Sequence, residues 1–243
     1  MKTLRETPKD HLRAIIILIL SVSAVLAYKY FYSIDKPNYE PRLELHNQII
    51  SGVAPSPYRY RVLVPFTEEF IIKALSTVSS TKSAFLTSYA LYDFAAIFFL
   101  LFMLLLWLKT WFTQEQALIG TLFTAGTMPM VLQNHYFQPW SLLEAGLFSA
   151  ALLLIYQKRH FLLAILVALA SMNRETAIFI PLAFLTTINF KAFLKHKNID
   201  WRSILFFYGL ILIWASVFLG VRYLRGDAPH VETIRSLISI NTA

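Results

Sequence analysis

The sequence predicts an all-α, polytopic transmembrane helix bundle of about seven crossings, with a long first extracytoplasmic loop that carries interfacial helices. Three observations predict it: long apolar runs recur along the chain, charge is scarce, and the basic residues fall between alternate runs. Hydrophobic residues make up 57% of the 243 and charged residues only 15%. A water-soluble domain carries about a quarter charged residues. The mean hydropathy is +0.56.

The first run, 14–33, is preceded by Lys2, Arg5, Lys9 and Arg13 and is long enough for a hydrocarbon core of about 30 Å. It closes on Tyr28-Lys29-Tyr30-Phe31-Tyr32, an aromatic belt with no small-residue cleavage site, so it reads as a retained signal-anchor with a cytoplasmic N-terminus. The loop 34–83 follows. Within it, Pro65 suits a first helical position, Glu68 and Glu69 suit the positive helix end, and Phe66, Phe70, Ile71, Ala74, Leu75 and Val78 form one apolar face. That pattern predicts a helix lying on the membrane surface. A weaker candidate helix spans 41–51 and stops at Gly52.

The remaining crossings are expected at 84–108, 117–132, 141–156, 161–172, 176–190 and 203–221, so that 1–243 is a single transmembrane domain. Threaded alternately, they leave Lys109, then Lys158 and Arg159, then Lys191, Lys195, Lys197 and Arg202 in the cytoplasm, as the positive-inside rule prefers. The same threading puts ten of the fourteen carboxylates on or near the outer side and leaves only Glu6, Asp10, Glu115 and Asp200 inside. Four middle runs are short for full crossings, at about 12 to 16 residues, and imply a recessed, water-accessible outer cavity. The expected location is an integral membrane protein, by default in a bacterial plasma (inner) membrane.

Composition also narrows the chemistry. The absence of cysteine excludes disulfides and thiolate catalysis, and the six histidines form no His-x-His or His-x-x-x-His pair. No metal motif is clear; a divalent cation stays open and no cofactor is assigned. The net charge of +8 sits largely beside apolar segments, where it meets anionic lipid, and no basic helix points to nucleic acid.

Several residues are candidates for a site on the outer side. Asp35, at the end of the first crossing, is placed to act as a general base on an acceptor hydroxyl, with Glu40 and Glu44 close behind; the plainer alternative is a solvated acid marking a helix end. Prolines at 55, 57 and 65 favour an extended segment in which Arg59 and Arg61 share one face and Tyr58 and Tyr60 the other. Paired guanidinium forks suit a phosphate or pyrophosphate, or else lipid headgroups. Asn173-Arg174-Glu175-Thr176 joins two apolar runs and offers either an internal Arg–Glu pair or an arginine for substrate phosphate. Asp93 is an intramembrane carboxylate, functional or a helix-packing contact. His135, Tyr136, Gln138, Trp140 and Glu144 crowd one outer turn as interfacial anchors or a sugar-binding platform.

This arrangement resembles the GT-C superfamily of integral-membrane glycosyltransferases. The likeness lies in an acid (Asp35) directly after the first helix, the long outer loop, and the seven-crossing module. The stretch 52–65, with Pro57-Tyr58-Arg59-Tyr60-Arg61, is similar to the Gly…Pro-Tyr…Tyr-Arg-Tyr…Pro stretch of the mannosyltransferases of glycolipid-anchor synthesis, and Arg174-Glu175 is similar to a turn of several members. The resemblance implies an inverting sugar transfer from a polyprenyl-phosphate-linked donor on the extracytoplasmic face. Asp35, or Glu40 or Glu44, would be the base. Arg59, Arg61 and Arg174 would neutralise the departing phosphate, with Tyr58, Tyr60, Asp93, His135, Gln138, Glu144, Asn173 and Glu175 lining the substrate site.

The chain departs from that group where Lys36 and Pro37, not a second acid, follow Asp35. It also ends in Ile238-Ser239-Ile240-Asn241-Thr242-Ala243, which reads as an unfinished outer segment of a truncated or minimal member. The partners implied are the lipid-linked donor and membrane lipids; no oligomeric state follows. A transporter or flippase-like protein, and a polysaccharide polymerase or non-catalytic membrane partner, are the competing readings.

Overall fold

The computed structural model describes residues 8–131, 138–188 and 201–226, and these are helical with short connections and no strand. The order is α1 (Pro8–Tyr30) continued by a π turn (Phe31–Asp35), α2 (Tyr39–Ser51), a 3₁₀ turn (Tyr58–Tyr60), α3 (Leu63–Leu75), α4 (Thr81–Leu108), α5 (Gln114–Val131), α6 (Trp140–Tyr156), α7 (His160–Asn173), a 3₁₀ turn (Glu175–Ile178), α8 (Phe179–Leu185) and α9 (Trp201–Arg225). Three stretches are long and apolar enough to cross a membrane: Arg13–Asp35, Thr81–Leu108 and Trp201–Arg225. They mark an integral membrane protein. The apolar helices Trp140–Tyr156, His160–Asn173 and Glu175–Leu185 are shorter, below the roughly 20 residues of an ordinary crossing.

Two apolar clusters hold the bundle. In the first, Ile15, Ile19, Leu26 and Ala27 of α1 pack on Ala96, Ile97, Leu101 and Leu105 of α4, joined by Ala117, Ala125 and Met128 of α5. In the second, Leu147 and Ala151 of α6, Leu163 and Val167 of α7, Ile180 and Phe184 of α8, and Leu210 of α9 come together. Gly146 lets α6 lie against α4: a Cβ there would stand 2.6 Å from Phe99 Cδ1 and 3.3 Å from the Leu100 Cα.

At about 1.5 Å per residue, the 28 residues of α4 exceed a 30 Å hydrocarbon core by about two turns. The N-terminal part of α4 is therefore free to carry α2 and α3. Tyr39 and Ile72 pack there on Ala84, Phe85 and Tyr89. Ser80 caps α4 by accepting the Ser83 N–H at 3.3 Å. Gly52, at φ 78°, ends α2 in the left-handed conformation that a Cβ would disfavour, and the following Val53 N–H reaches back to Gln48 O at 2.9 Å.

α3 differs from the predicted surface helix in its start and in the side it buries. It begins at Leu63, two residues before Pro65, and turns Glu68 inward while Phe70, 77% exposed, points away from the bundle. Glu68 is thus a buried contact to α4 and not a solvated charge at the helix start.

Candidate functional site

Tyr39, Arg42, His46 and Ile49 recur at the three- and four-residue spacing of one helix face, and that face of α2 is buried against α3, α4 and the end of α1. A buried cation needs partners. Arg42, 2% exposed, donates through Nη1 to Asp35 Oδ1 and lies 3.6 Å from Asp93 Oδ2 through Nη2. Its guanidinium also sits 4.0 Å from the centre of the Tyr89 ring. Asp35 comes from the π turn after α1 and Asp93 from the middle of α4, so one arginine ties three helices. Asp35 Oδ2, by contrast, is buried without a hydrogen-bond partner.

The polar seam continues through α2 and α3. His46 contacts the Tyr89 hydroxyl at 2.9 Å through Nδ1 and Glu69 Oε2 at 3.1 Å through Nε2, and Lys73 pairs with Glu69 at 3.0 Å. Burial holds the imidazole below its usual range, against the opposite pull of Glu69. Glu68 accepts a hydrogen bond from Ser88 Oγ at 2.5 Å; burial pushes its carboxyl up to about 7, with Ser88 and Arg42 pulling the other way.

Most of the remaining expected residues fall into two further groups. In the first, Arg61 Nη2 donates to Glu175 Oε1 at 2.8 Å, and its guanidinium lies 5.1 Å from the Trp140 ring and 5.4 Å from that of Tyr58. Arg174 Nη1 donates to Glu144 Oε2 at 2.5 Å, and Thr176 donates to the other oxygen of the same carboxylate. Asn173 Nδ2 donates to Trp140 O at 3.2 Å. Arg174 and Glu175 thus pair across helices and not with each other.

The second group lies at the C-terminal end of α9. Arg225 donates to the carbonyls of Ile49 and Ile50 and lies 4.9 Å from the Phe66 ring. Arg222 lies 4.8 Å from the Tyr60 ring, and the Tyr60 hydroxyl donates to Gly226 O at 3.4 Å. A Cβ on Gly226 would meet Arg59 Nη2 at 3.7 Å. Arg225 also closes an apolar cleft of about 530 Å³ between α3 and α9, lined by Leu63, Phe66, Met172, Val221 and Leu224 among others. The backbone over Tyr58–Tyr60 is a 3₁₀ turn where an extended segment is expected, so Arg59 and Arg61 serve different neighbours.

Glu40 and Glu44 stand apart from all these groups, on the outer face of α2, in an open concavity of about 610 Å³ shared with Asn47, Gln48 and Ser51. Gln138 is exposed, with its Oε1 3.5 Å from Ser141 Oγ. His135 lies outside the described residues. Among the described residues, no three His, Cys, Asp or Glu side chains are grouped to hold a metal ion.

Sequence reasoning singles out Asp35 and Asp93 but misses Arg42, His46, Arg222 and Arg225. The periodicity of 39, 42, 46 and 49 carries a signal for the first two. The α9 arginines carry none, because the partners they meet across the fold, Tyr60 for Arg222 and Ile49 and Ile50 for Arg225, lie more than 150 residues away in the chain. Comparison of the chain with protein-family models, with curated proteins and with solved structures finds no match.

Proposed function

We propose that the protein is an integral-membrane glycosyltransferase of GT-C type that moves a sugar from a polyprenyl-phosphate-linked donor to an acceptor on the extracytoplasmic face, with inversion. In this reading α5 to α8 complete seven passes and the N-terminus is cytoplasmic.

One observation carries the reading: an apolar cleft open between α3 and α9 ends on arginine. A lipid-linked phosphate has the same two parts, a hydrocarbon tail and an anion. A departing phosphate asks for positive charge more than for a proton donor. Arg61 and Arg174 are committed to Glu175 and Glu144, so the phosphate falls to Arg222 and Arg225 beside the cleft. Asp35 is the base. It lies under α2, so the acceptor must pass the edge of α2 with the Arg42–Asp35 contact kept; Glu44, on the open face, takes the role if no such path opens.

The test is transfer itself. Purified protein in liposomes, given a radiolabelled polyprenyl-phosphate sugar, is expected to release polyprenyl phosphate and form product of inverted anomeric configuration. Label that crosses the membrane still attached to its lipid contradicts the reading and supports a flippase, in which Asp93, Glu144 and Arg174 line a path.

A further inference from the structure

Asp35 and Asp93 reach one place from different helices, and two carboxyl groups so close repel each other when both are ionised. Arg42 is the cation set between them. The other groups facing this pair are Tyr30 of α1, Glu68 of α3 and Tyr89 and Tyr92 of α4, none of them cationic. Removing the guanidinium therefore leaves two carboxyl groups that share one site and cannot both keep their charge.

We propose that Arg42 is the positioning residue of the site: it fixes Asp35 through Oδ1, leaves Oδ2 unshared as the oxygen that takes the acceptor proton, and separates Asp35 from Asp93. In the transfer step the acceptor oxygen bonds to the anomeric carbon, the bond from that carbon to the phosphate oxygen breaks with its electron pair leaving on the phosphate, and the acceptor proton passes to Asp35. This inference rests on the reading of Asp35 as base. A plain structural anchor for α2 is the competing role, and it makes different demands on pH.

The experiment compares wild type, Arg42→Lys, Arg42→Met and the double variant Arg42→Met with Asp93→Asn. Readouts are kcat and donor KM across pH, and the labelling of Asp35 and Asp93 by a hydrophobic carbodiimide, which reacts with protonated carboxyl groups in apolar surroundings. Arg42→Met is expected to lower kcat about 100-fold or more at neutral pH with donor KM unchanged. The acid limb of its pH profile should move up by about one pH unit or more, and its carboxyl labelling should rise.

Arg42→Lys should keep the wild-type profile. The double variant, without the competing carboxylate, should return the acid limb toward wild type and guards against a single variant that fails to fold. A profile and labelling pattern unchanged by Arg42→Met, or a double variant no closer to wild type than Arg42→Met, would overturn the proposal. If wild type transfers no sugar, the base reading fails while the labelling series still decides what Arg42 does to the two carboxyl groups.

Discussion

The seam beneath α2 and the arginine group at the end of α9 are both polar, but they spend their charges differently. Under α2 the charges are enclosed and face one another: Asp35, Arg42, Asp93 and Glu68 are each at most 2% exposed. At the end of α9, Arg222 and Arg225 meet aromatic rings and backbone carbonyls beside an apolar cleft. Charge enclosed with its counter-charge fixes geometry. Charge held against rings and carbonyls keeps its capacity for an incoming anion. In the proposed transfer, the first region takes the proton and the second holds the lipid phosphate.

The largest expected effect belongs to the seam. Asp35→Asn should lower turnover by roughly 10²–10⁴-fold while donor binding persists, the usual contribution of a general base. Steady-state kinetics in liposomes measure both. If Glu44→Gln abolishes transfer and Asp35→Asn does not, the base lies on the open face of α2 and the division between the regions has to be redrawn.

A smaller change, of the opposite kind, is expected at α9. Arg225→Lys keeps the charge but loses the planar fork that holds two carbonyls and stacks on Phe66. Donor affinity should fall about tenfold with kcat for saturating donor little altered, as read by kcat and KM for the lipid-linked sugar. A change in kcat alone would merge the two regions into one.

The third effect is on stability and sharpens the electrostatic side of the comparison. Glu68 goes from an ordinary 4.5 to about 7 in the folded protein. Between those values the folded state holds the extra proton, so stability falls as pH rises through the window and levels off above it. The loss is on the order of 1–3 kcal/mol. Glu68→Gln should flatten this slope and raise thermal stability at pH 8 relative to wild type; a parallel pH dependence in both proteins would show that Glu68 is not the group responsible.

What is legible in the sequence is what depends on near neighbours. The three long spans show in hydropathy over windows of about 20 residues, and the end of α2 shows in Gly52. Asp35 is marked by its place directly after an apolar run. The rest depends on distance along the chain. Whether Glu68 is solvated or buried depends on Ser88 of the next helix, and Pro65 with two following acids reads the same in either case. Arg61 and Arg174 each look like a phosphate ligand until Glu175 and Glu144 arrive from other turns. Arg222 and Arg225 look like ordinary cations at a helix end, and only the meeting of α9 with α2 and α3 gives them a cleft.

The central claim is that this cleft holds the lipid of a phosphate-linked donor, and a photoreactive polyprenyl phosphate tests it most directly. After illumination in liposomes, labelled peptides should come from α3 and α9, around Phe66 and Leu224, and unlabelled polyprenyl-phosphate sugar should compete the label away. Labelling that falls instead on the outward faces of α1 and α5, without competition, would contradict the claim.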